Sequence, residues 1–440
     1  METEYTMKHL FFGGIHPEEK KELSAGKPLV TKMEPGQVSI LMSQHIGVPC
    51  EPLVKAGDMV KKGQKIGDGE GMCVPVHASV SGRVIAVEPR RHPSGQEITA
   101  VVIENDFLDT PDTAMTAHKD YSSLSNEEII AIIREAGIAG MGGATFSTTI
   151  KAASAMGKAD TLIANACECE PYLTADDILL RTSPEEVLEG MRIICQVLQP
   201  ERAVLAIEEN KTEAIGVIRP LLEKEKKITL KILPARFPQG AEKQLVQSVT
   251  GREIAPGELP ISAGCVVFNA GTLRAIYRAV VLGQALTERI VTVTGEGVNN
   301  PGNFYARIGT SYEDMLKAAG GLREETKKVI TGGPMMGYAQ GDLSVSIIKG
   351  TNGILGLLEE NGDKDDYACI RCGKCLTVCP MKLQPLHLFE QAEQRSVEGL
   401  KHYYLMDCIE CGCCSYECPG KVPLTARFKE AKQLVREAGK

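Results

Sequence analysis

The sequence predicts a multidomain α/β chain with four folded units: a β-module of short strands, a Rossmann-like α/β layer, a small β-grasp-like module and a helical, cysteine-rich unit. Three observations predict it. Residues 36–105 are short alternating segments separated by glycine, the pattern of half-buried strands. Residues 126–285 alternate apolar strand-like runs with longer amphipathic ones, as βαβ units over a parallel sheet do. Residues 369–379 and 408–418 repeat one cysteine spacing. A chain of 440 residues suits about two to four domains.

Taken in order, residues 1–35 are a polar arm with turns, "FFGGIHPEEKKELSAGKP". In 36–105, "GDMVKKGQKIG" and "ASVSGRVIAVE" alternate apolar and polar residues, which fits a small β-sandwich or flattened barrel. Residues 106–125 are rich in Asp, Thr and Ser and form a linker. "NEEIIAIIREAGI" then has helical spacing, with Ser125 or Asn126 as its cap. "DTLIANA" and "RAVLAIEE" are buried strands; "SPEEVLEGMRIICQVL" and "KTEAIGVIRPLLEKE" are helices. In 288–350, "RIVTVTGEGVNNPGNFYARIG" reads as a hairpin and "SYEDMLKAAGGL" as a short helix. "NGDKDD" marks the last boundary. The cysteine-rich unit covers 365–425, and the charged helix "ARFKEAKQLVREAGK" follows.

Composition excludes some functions. A net charge of −8 with no Trp and 5% aromatic residues suits neither phosphate-backbone binding nor base stacking, so no nucleic-acid partner is expected. "METEYTMKHLFFGG" lacks the apolar core of a signal peptide. No apolar run reaches the roughly 18–20 residues of a membrane span; "AIYRAVVLGQAL" and "VSIIKGTNGILGLL" are short and broken by Arg, Lys or Gly. The expectation is a soluble chain, or one that docks on a membrane through a partner. Fifteen cysteines would be unusual as disulfides in a reducing cytosol.

Eight of those cysteines form two copies of C-x2-C-x2-C-x3-C-P, "CIRCGKCLTVCP" and "CIECGCCSYECP". Thiolates are soft ligands for iron–sulfur clusters, and in this spacing the fourth cysteine ligates the other cluster. Cys369, Cys372, Cys375 and Cys418 are therefore assigned to one [4Fe–4S] cluster, and Cys408, Cys411, Cys414 and Cys379 to the second. Cys413 falls outside the pattern. Structural zinc uses two ligand pairs and does not need this arrangement. The spacer "MKLQPLHLFEQAEQRSVEGLKHYYLMD" is helical and resembles the two-helix ferredoxin-like module of succinate dehydrogenase-type subunits.

Paired clusters make a wire, and a wire needs a donor. In "AGIAGMGGATFSTTIK" the glycines Gly140, Gly142 and Gly143 precede a helix start at Phe146–Ser147. Such a loop either lets backbone N–H groups approach a phosphate or is an ordinary tight turn. "NACECEPYLTADD" follows the strand "DTLIA", at the strand end where α/β sheets bind ligands; the alternative is a solvated acidic loop.

"GMGGATFSTTIK" and "NACECEP" resemble the FMN-binding motifs of the NADH-oxidising flavoprotein subunit of respiratory complex I, G-x-G-G-A-G-F-P ending in Lys and N-A-D-E-S-E-P. "FPQGAEKQLVQSVTGREIAPGELP" and "CVVFNAGTLRAIYRAV" look like its G-E-E-T and N-N-V-E-T segments, and "TVTGEGVNNPGNFYARIGTSYEDML" like its SLBB (soluble-ligand-binding β-grasp) module. With "FFGGIHPEEKK", the β-module, "GGPMMG" and the double cluster motif in this order, nearly the whole chain resembles the C subunits of Rnf complexes. Those membrane-bound machines couple ferredoxin–NAD(H) electron transfer to Na+ or H+ translocation.

The resemblance implies a peripheral subunit on the cytoplasmic face of the membrane, with FMN, NAD(H) and two [4Fe–4S] clusters as cofactors. Its implied partners are membrane-embedded and ferredoxin-like Rnf subunits, and ferredoxin through the complex. By matching position, Gly140, Gly142, Gly143, Ala144 and Lys151 would surround the FMN phosphate. Asn165 and Glu168 would reach the ribityl chain and ring, and Glu170 the nicotinamide ribose. Gly240 and Glu242 fall on G-E-E-T; Asn269 and Thr272 fall on N-N-V-E-T. The chain departs from the family's motifs at Thr145, Ser147, Cys167, Cys169 and Ala241.

The β-module also resembles a biotinyl or lipoyl carrier, yet "DGEGMCVPVH" has no lysine to carry a group, so a docking role is expected. Cys73 is expected to be buried and His77 on the surface. Cys50, Cys195 and Cys265 are expected in the core, and "GGPMMG" as a packed turn for which the likeness suggests an interface role. A flavin converts the two-electron hydride of NADH into single electrons for clusters, which orders the path NAD(H), FMN, cluster, cluster, partner. The alternatives are a soluble NADH dehydrogenase or hydrogenase diaphorase subunit, and a flavin-free scaffold that only passes electrons.

Overall fold

The computed structural model describes residues 4–5, 10–223, 225, 227–358 and 368–439. The "NGDKDD" boundary and the first residues of the expected 365–425 unit lie outside the described residues. The central sheet has five parallel strands in the order Glu4–Tyr5, Ile228–Leu233, Arg202–Glu208, Thr161–Ala166 and Cys265–Asn269. Its inner strands are continuous apolar runs because helices cover both faces; Leu162, Ile163, Ala164 and Leu205 are fully buried.

Local chemistry sets the helices. Asn126–Glu135 starts on a capping box in which Ser125 Oγ accepts the Glu128 N–H and the Glu128 carboxylate accepts the Ser125 N–H. Pro184–Leu198 begins at its proline and ends where Gln199 turns left-handed. Gly190 lets it cross the Ala270–Leu282 helix closely, since a Cβ there would lie 1.9 Å from the Leu273 carbonyl oxygen.

The β-module consists of a four-stranded sheet and a three-stranded one. Its Val38, Ile40, Val84 and Val101 belong to the same buried apolar cluster as Leu162, Ala164 and Leu205 of the central sheet, so the module is docked rather than swinging. The third unit is a mixed five-stranded sheet whose hairpin pairs Glu288–Thr294 with Gly302–Arg307. Its Gly353–Leu357 strand lies beyond the expected limit at 350 and pairs with both Glu288–Thr294 and Lys328–Thr331. The cysteine-rich unit packs the helices Pro385–Glu393, Val397–His402 and Leu424–Glu437 around Leu388, Leu400 and Phe428.

The expected polar arm is instead threaded through the molecule. Phe11 and Ile15 are buried, Ile15 bridges Phe237, and the Gly14 N–H donates to the Val378 carbonyl at 2.9 Å. Gly13 has a φ of 74° and crosses the backbone of Cys379, 2.7 Å from where a Cβ would be. Two apolar side chains in a charged segment, with the Arg236 guanidinium donating to the Phe11 carbonyl, pack the arm between the α/β layer and the cysteine-rich unit. Among the described residues, no helix is long and apolar enough to cross a membrane.

Candidate cofactor sites

The C-terminal edge of the central sheet gathers most of the residues singled out from sequence. At the end of Thr161–Ala166, Asn165 Nδ2 donates to the Gly240 carbonyl at 2.9 Å and its Oδ1 accepts the Cys167 N–H at 3.0 Å. At the end of Cys265–Asn269, Asn269 caps the next helix by accepting the Gly271 N–H at 2.8 Å, while its amide donates to Asp176 at 2.7 Å. Thr272 Oγ1 accepts the Met141 N–H at 2.9 Å and straps the Gly-rich loop to that helix.

The loop itself is closed by Gly140 N–H donating to the Phe146 carbonyl at 2.8 Å. Between these ends Gly142, Gly143 and Ala144 are exposed, and a Cβ on Gly143 would meet nothing within 4 Å. They form an open shelf that leads into the Thr148–Ala155 helix, capped by Ser147. Lys151, one turn into the helix, donates to Glu242 Oε1 at 2.8 Å and to the Val267 carbonyl at 3.0 Å. Thr145, where the family motif has glycine, has a φ of 52°, so a β-branched residue holds a left-handed conformation there. An exposed backbone shelf at a helix start, one ammonium and two amides at strand ends form a donor set that fits a phosphate and a polyol.

The acidic loop is held from within. Glu168 accepts the N–H groups of Asp176 at 3.0 Å and Asp177 at 3.3 Å, at the N-terminus of the Ala175–Thr182 helix. Burial, with Glu168 close by, pushes the Asp176 carboxyl up to about 7. Arg289, which sequence reading missed, is buried beside these acids, donates to the Met141 carbonyl at 3.2 Å and is lowered by burial to about 10. Glu170 is directed to "GGPMMG": it accepts the Met336 N–H at 2.8 Å and the Met335 N–H at 3.2 Å, and burial raises its carboxyl to about 7.

Lys21 was also missed. It is buried, and its ammonium donates to the carbonyls of Glu168 at 2.9 Å, Glu170 at 2.7 Å and Leu173 at 2.7 Å. Burial lowers it to about 8, so it remains cationic at neutral pH. Lys21→Met strands three carbonyls at roughly 1–3 kcal/mol each. Its urea midpoint is expected to fall by an amount equivalent to about 3 kcal/mol or more, with the loss concentrated in the loop that carries Glu168 and Glu170.

The cysteine repeats make two pockets. One is lined by Cys369, Cys372, Cys375 and Cys418, the other by Cys379, Cys408, Cys411 and Cys414. The last cysteine of each motif thus lies with the first three of the other. Burial raises the Cys375 thiol, with further rises from Cys418, Cys369 and Cys372; burial raises Cys408 to about 11, with Cys411 and Cys379 among its neighbours. Among the described residues, no three His, Cys, Asp or Glu side chains close as they would on a single metal ion. Each set of four thiols instead surrounds a pocket, as a multi-iron cluster requires.

The two pockets differ in setting. Cys369 and Cys372 are exposed, whereas Cys379 and Cys411 are buried. Cys411 and the extra Cys413 pack with Ile15, Phe237, Cys169 and Met335, and Cys169 Sγ lies 3.4 Å from the Gly240 N–H. The set of Cys408 therefore faces the strand-end loop, and the set of Cys369 faces solvent.

His77 is buried, not on the surface as expected, because Gly137 of the α/β layer covers it. Cys50 and Cys73 are buried with their sulfurs 3.2 Å apart, Cys265 is buried and Cys195 is half-buried. A groove of about 1310 Å³ lies at the opposite edge of the sheet beside Arg192, Cys195 and Arg202 and contains none of the motif residues.

A backbone shelf at the end of a parallel sheet, with two four-cysteine pockets of which one packs against the strand-end loop, defines a flavin and iron–sulfur electron-transfer protein. Residues 133–278 match the Nuo51 FMN-binding domain, 9–108 the RnfC barrel sandwich hybrid domain, 290–339 the SLBB domain and 363–419 the 4Fe-4S dicluster domain. The C subunit of the Na(+)-translocating ferredoxin:NAD(+) oxidoreductase complex of Acetobacterium woodii is 42% identical over 91% of this chain and 91% of its own. The C subunit of the proton-translocating ferredoxin:NAD(+) oxidoreductase complex of Clostridium ljungdahlii is 42% identical over 90% of this chain and 88% of its own. A solved NAD+-reducing [NiFe]-hydrogenase chain shares the fold with a TM-score of 0.51 at 16% identity, over 73% of this chain and 65% of that one. The chain belongs to the RnfC family, the C subunits of ion-translocating ferredoxin:NAD(+) oxidoreductase complexes.

Proposed function

We propose that this chain is the NAD(H)-handling subunit of a membrane-bound Rnf-type complex that couples ferredoxin:NAD+ electron transfer to Na+ or H+ translocation. Its cofactors are FMN, two [4Fe–4S] clusters and NAD(H), and it works among the other subunits of that complex. The observation that carries the reading is the unbroken packing from Asn165 through Gly240 and Cys169 to Cys411 and Cys413, with the more exposed cysteine set beyond.

When bound, FMN exchanges a hydride with the nicotinamide and single electrons with the clusters. The chain's own work is to bind and orient. Gly140, Gly142, Gly143 and Ala144 present backbone to the phosphate, and Lys151 neutralises it. Asn165, Gly240, Asn269 and Thr272 frame the ribityl chain and ring, Glu242 pairs with Lys151 beside the phosphate, and Glu168 fixes the loop behind them. Glu170 borders the nicotinamide side. No side chain is required as acid or base. The domain limits 36–105, 126–285, 288–350 and 365–425 belong to the same reading, with 1–35 as a strap between domains.

The exit is the rim of the first cluster, where Cys369, Ile370, Arg371, Cys372 and Lys374 are exposed. Its two cations and apolar Ile370 suit an acidic, ferredoxin-like subunit. Membrane-embedded subunits hold the chain at the cytoplasmic face, and direction follows the ratio of reduced ferredoxin to NAD+.

The test uses the full chain purified without oxygen and reconstituted with iron, sulfide and FMN. Acid-released FMN near one per chain, with cluster absorbance bleached by NADH, is the expected result. A chain that binds clusters but no flavin would instead be a plain electron wire, the reading favoured by the Lys151–Glu242 ion pair and the left-handed Thr145; a chain with neither overturns both.

A further inference from the structure

We propose that the Gly332–Gly337 turn is a latch that holds the second cluster's loop against the flavin-side loop, with Met335 as its positioning residue. The inference rests on the electron route proposed above and assigns the β-grasp unit a task in it. The turn is tightly built: the Gly337 N–H donates to the Gly333 carbonyl at 3.0 Å, and the Gly332 N–H donates to the Gly353 carbonyl at 2.7 Å. Its exposed end offers the two consecutive N–H groups of Met335 and Met336, and both are taken by the single carboxylate of Glu170.

Glu170 lies in the loop that joins the Thr161–Ala166 strand to the Ala175–Thr182 helix. A backbone bond from that loop to its neighbour would be ordinary; a carboxylate reaching 165 residues along the chain to chelate two N–H groups is a specific tie between domains. Gly333 makes it possible, because a Cβ there would fall 2.2 Å from Glu170 Oε2. On its other side the turn meets the cluster loop: a Cβ on Gly412 would lie 3.0 Å from the Met335 carbonyl oxygen and 3.3 Å from its Cε. Met335 also packs with Cys169, Cys411 and Cys413.

One residue of the turn therefore touches the acidic loop through its N–H and the cysteine loop through its carbonyl and side chain. Electron transfer between two sites slows exponentially as their separation grows, so a contact that fixes the spacing of these loops sets a rate without joining in the chemistry. The sequence pattern "GGPMMG" is accounted for: glycine where the carboxylate approaches, and methionine where an adaptable apolar chain fills an irregular gap.

The test uses the reconstituted full chain and three variants: Met335→Ala, Met335→Leu and Gly333→Ala. Dithionite-reduced paramagnetic resonance spectra first establish that both clusters are present. Stopped-flow reduction by NADH is then read at cluster absorbance, and NADH–ferricyanide turnover reports the flavin alone. In Met335→Ala, cluster reduction is expected to slow about tenfold while ferricyanide turnover falls less than about threefold. In Gly333→Ala, which moves the Glu170 carboxylate, ferricyanide turnover falls as well, and the ratio of cluster reduction to ferricyanide turnover is expected to fall about tenfold. Met335→Leu, close in volume, restores the wild-type rate. Where Met335→Ala fails to hold its iron, Gly333→Ala decides by the ratio of its cluster reduction to its ferricyanide turnover, which removes any loss in NADH binding and falls only if the loops have moved apart. Cluster reduction in the variants within about twofold of wild type overturns the latch. A wild-type chain that takes no electrons from NADH overturns the proposed function itself, a result visible before any variant is made.

Discussion

Cys418→Ala is expected to abolish the cluster held by Cys369, Cys372 and Cys375, more than forty residues away in sequence, and to spare the one whose cysteines surround Cys418. Cys379→Ala is expected to do the reverse. Iron should fall from about eight to about four atoms per chain in each variant, and the magnetic coupling of two reduced clusters should vanish from the resonance spectrum. The reason is the pocket lining: Cys418 closes the first pocket and Cys379 the second. A single turn of helix, Lys374–Val378, carries the chain from Cys375 in one pocket to Cys379 in the other, where the backbone is extended before Pro380. Loss of the cluster nearest in sequence would overturn the assignment.

The two variants should also differ in stability. Metal binding to a site that exists only in the folded chain contributes directly to folding. Cys379 is buried beneath the crossing of Gly13, and Gln244 of the α/β layer donates to the adjacent Pro380 carbonyl at 3.3 Å. The first pocket is bordered by exposed Cys369 and Cys372. Cys379→Ala should therefore loosen the contact between domains and lower the thermal midpoint, whereas Cys418→Ala should leave the α/β layer's transition nearly in place.

What could be read from sequence follows from the range of the interactions. The cysteine sets and the Gly-rich loop are local patterns, and a spacing rule carries the crossed grouping of cysteines around the two pockets that no periodicity argument could reach. The parallel sheet was equally legible, since its strands are uniformly apolar. Lys21 was not: it stands in "EEKKEL", which reads as a solvated charge run, and only the threading of Phe11 and Ile15 brings its ammonium onto the Glu168–Leu173 loop. His77 failed for the same reason, as its cover comes from Gly137 in another unit. "GGPMMG" read as a packed turn because its partner, Glu170, lies in a different domain and was assigned by resemblance to the nicotinamide.

The ion pair between Lys151 and Glu242 gives the flavin site a test with two signs. As the structure stands, Lys151 is satisfied by a carboxylate at 2.8 Å and a carbonyl at 3.0 Å. A purely structural lysine would stop there, and its loss would leave FMN affinity alone. A lysine that serves the phosphate must share its charge between Glu242 and the ligand, so the two halves of the pair act in opposite directions. Lys151→Met removes a charge-assisted hydrogen bond of about 1.5–3 kcal/mol, which weakens FMN binding by roughly 10–150-fold. Glu242→Gln removes a like charge from beside the phosphate and releases the ammonium, and should tighten binding by a few-fold, more at low salt than at high salt. Titration of the flavin-free chain with FMN, followed by fluorescence quenching, reads both. A weakened Glu242→Gln chain would mean that the carboxylate itself holds a ligand hydroxyl, and unchanged affinity in both variants would remove Lys151 from the site.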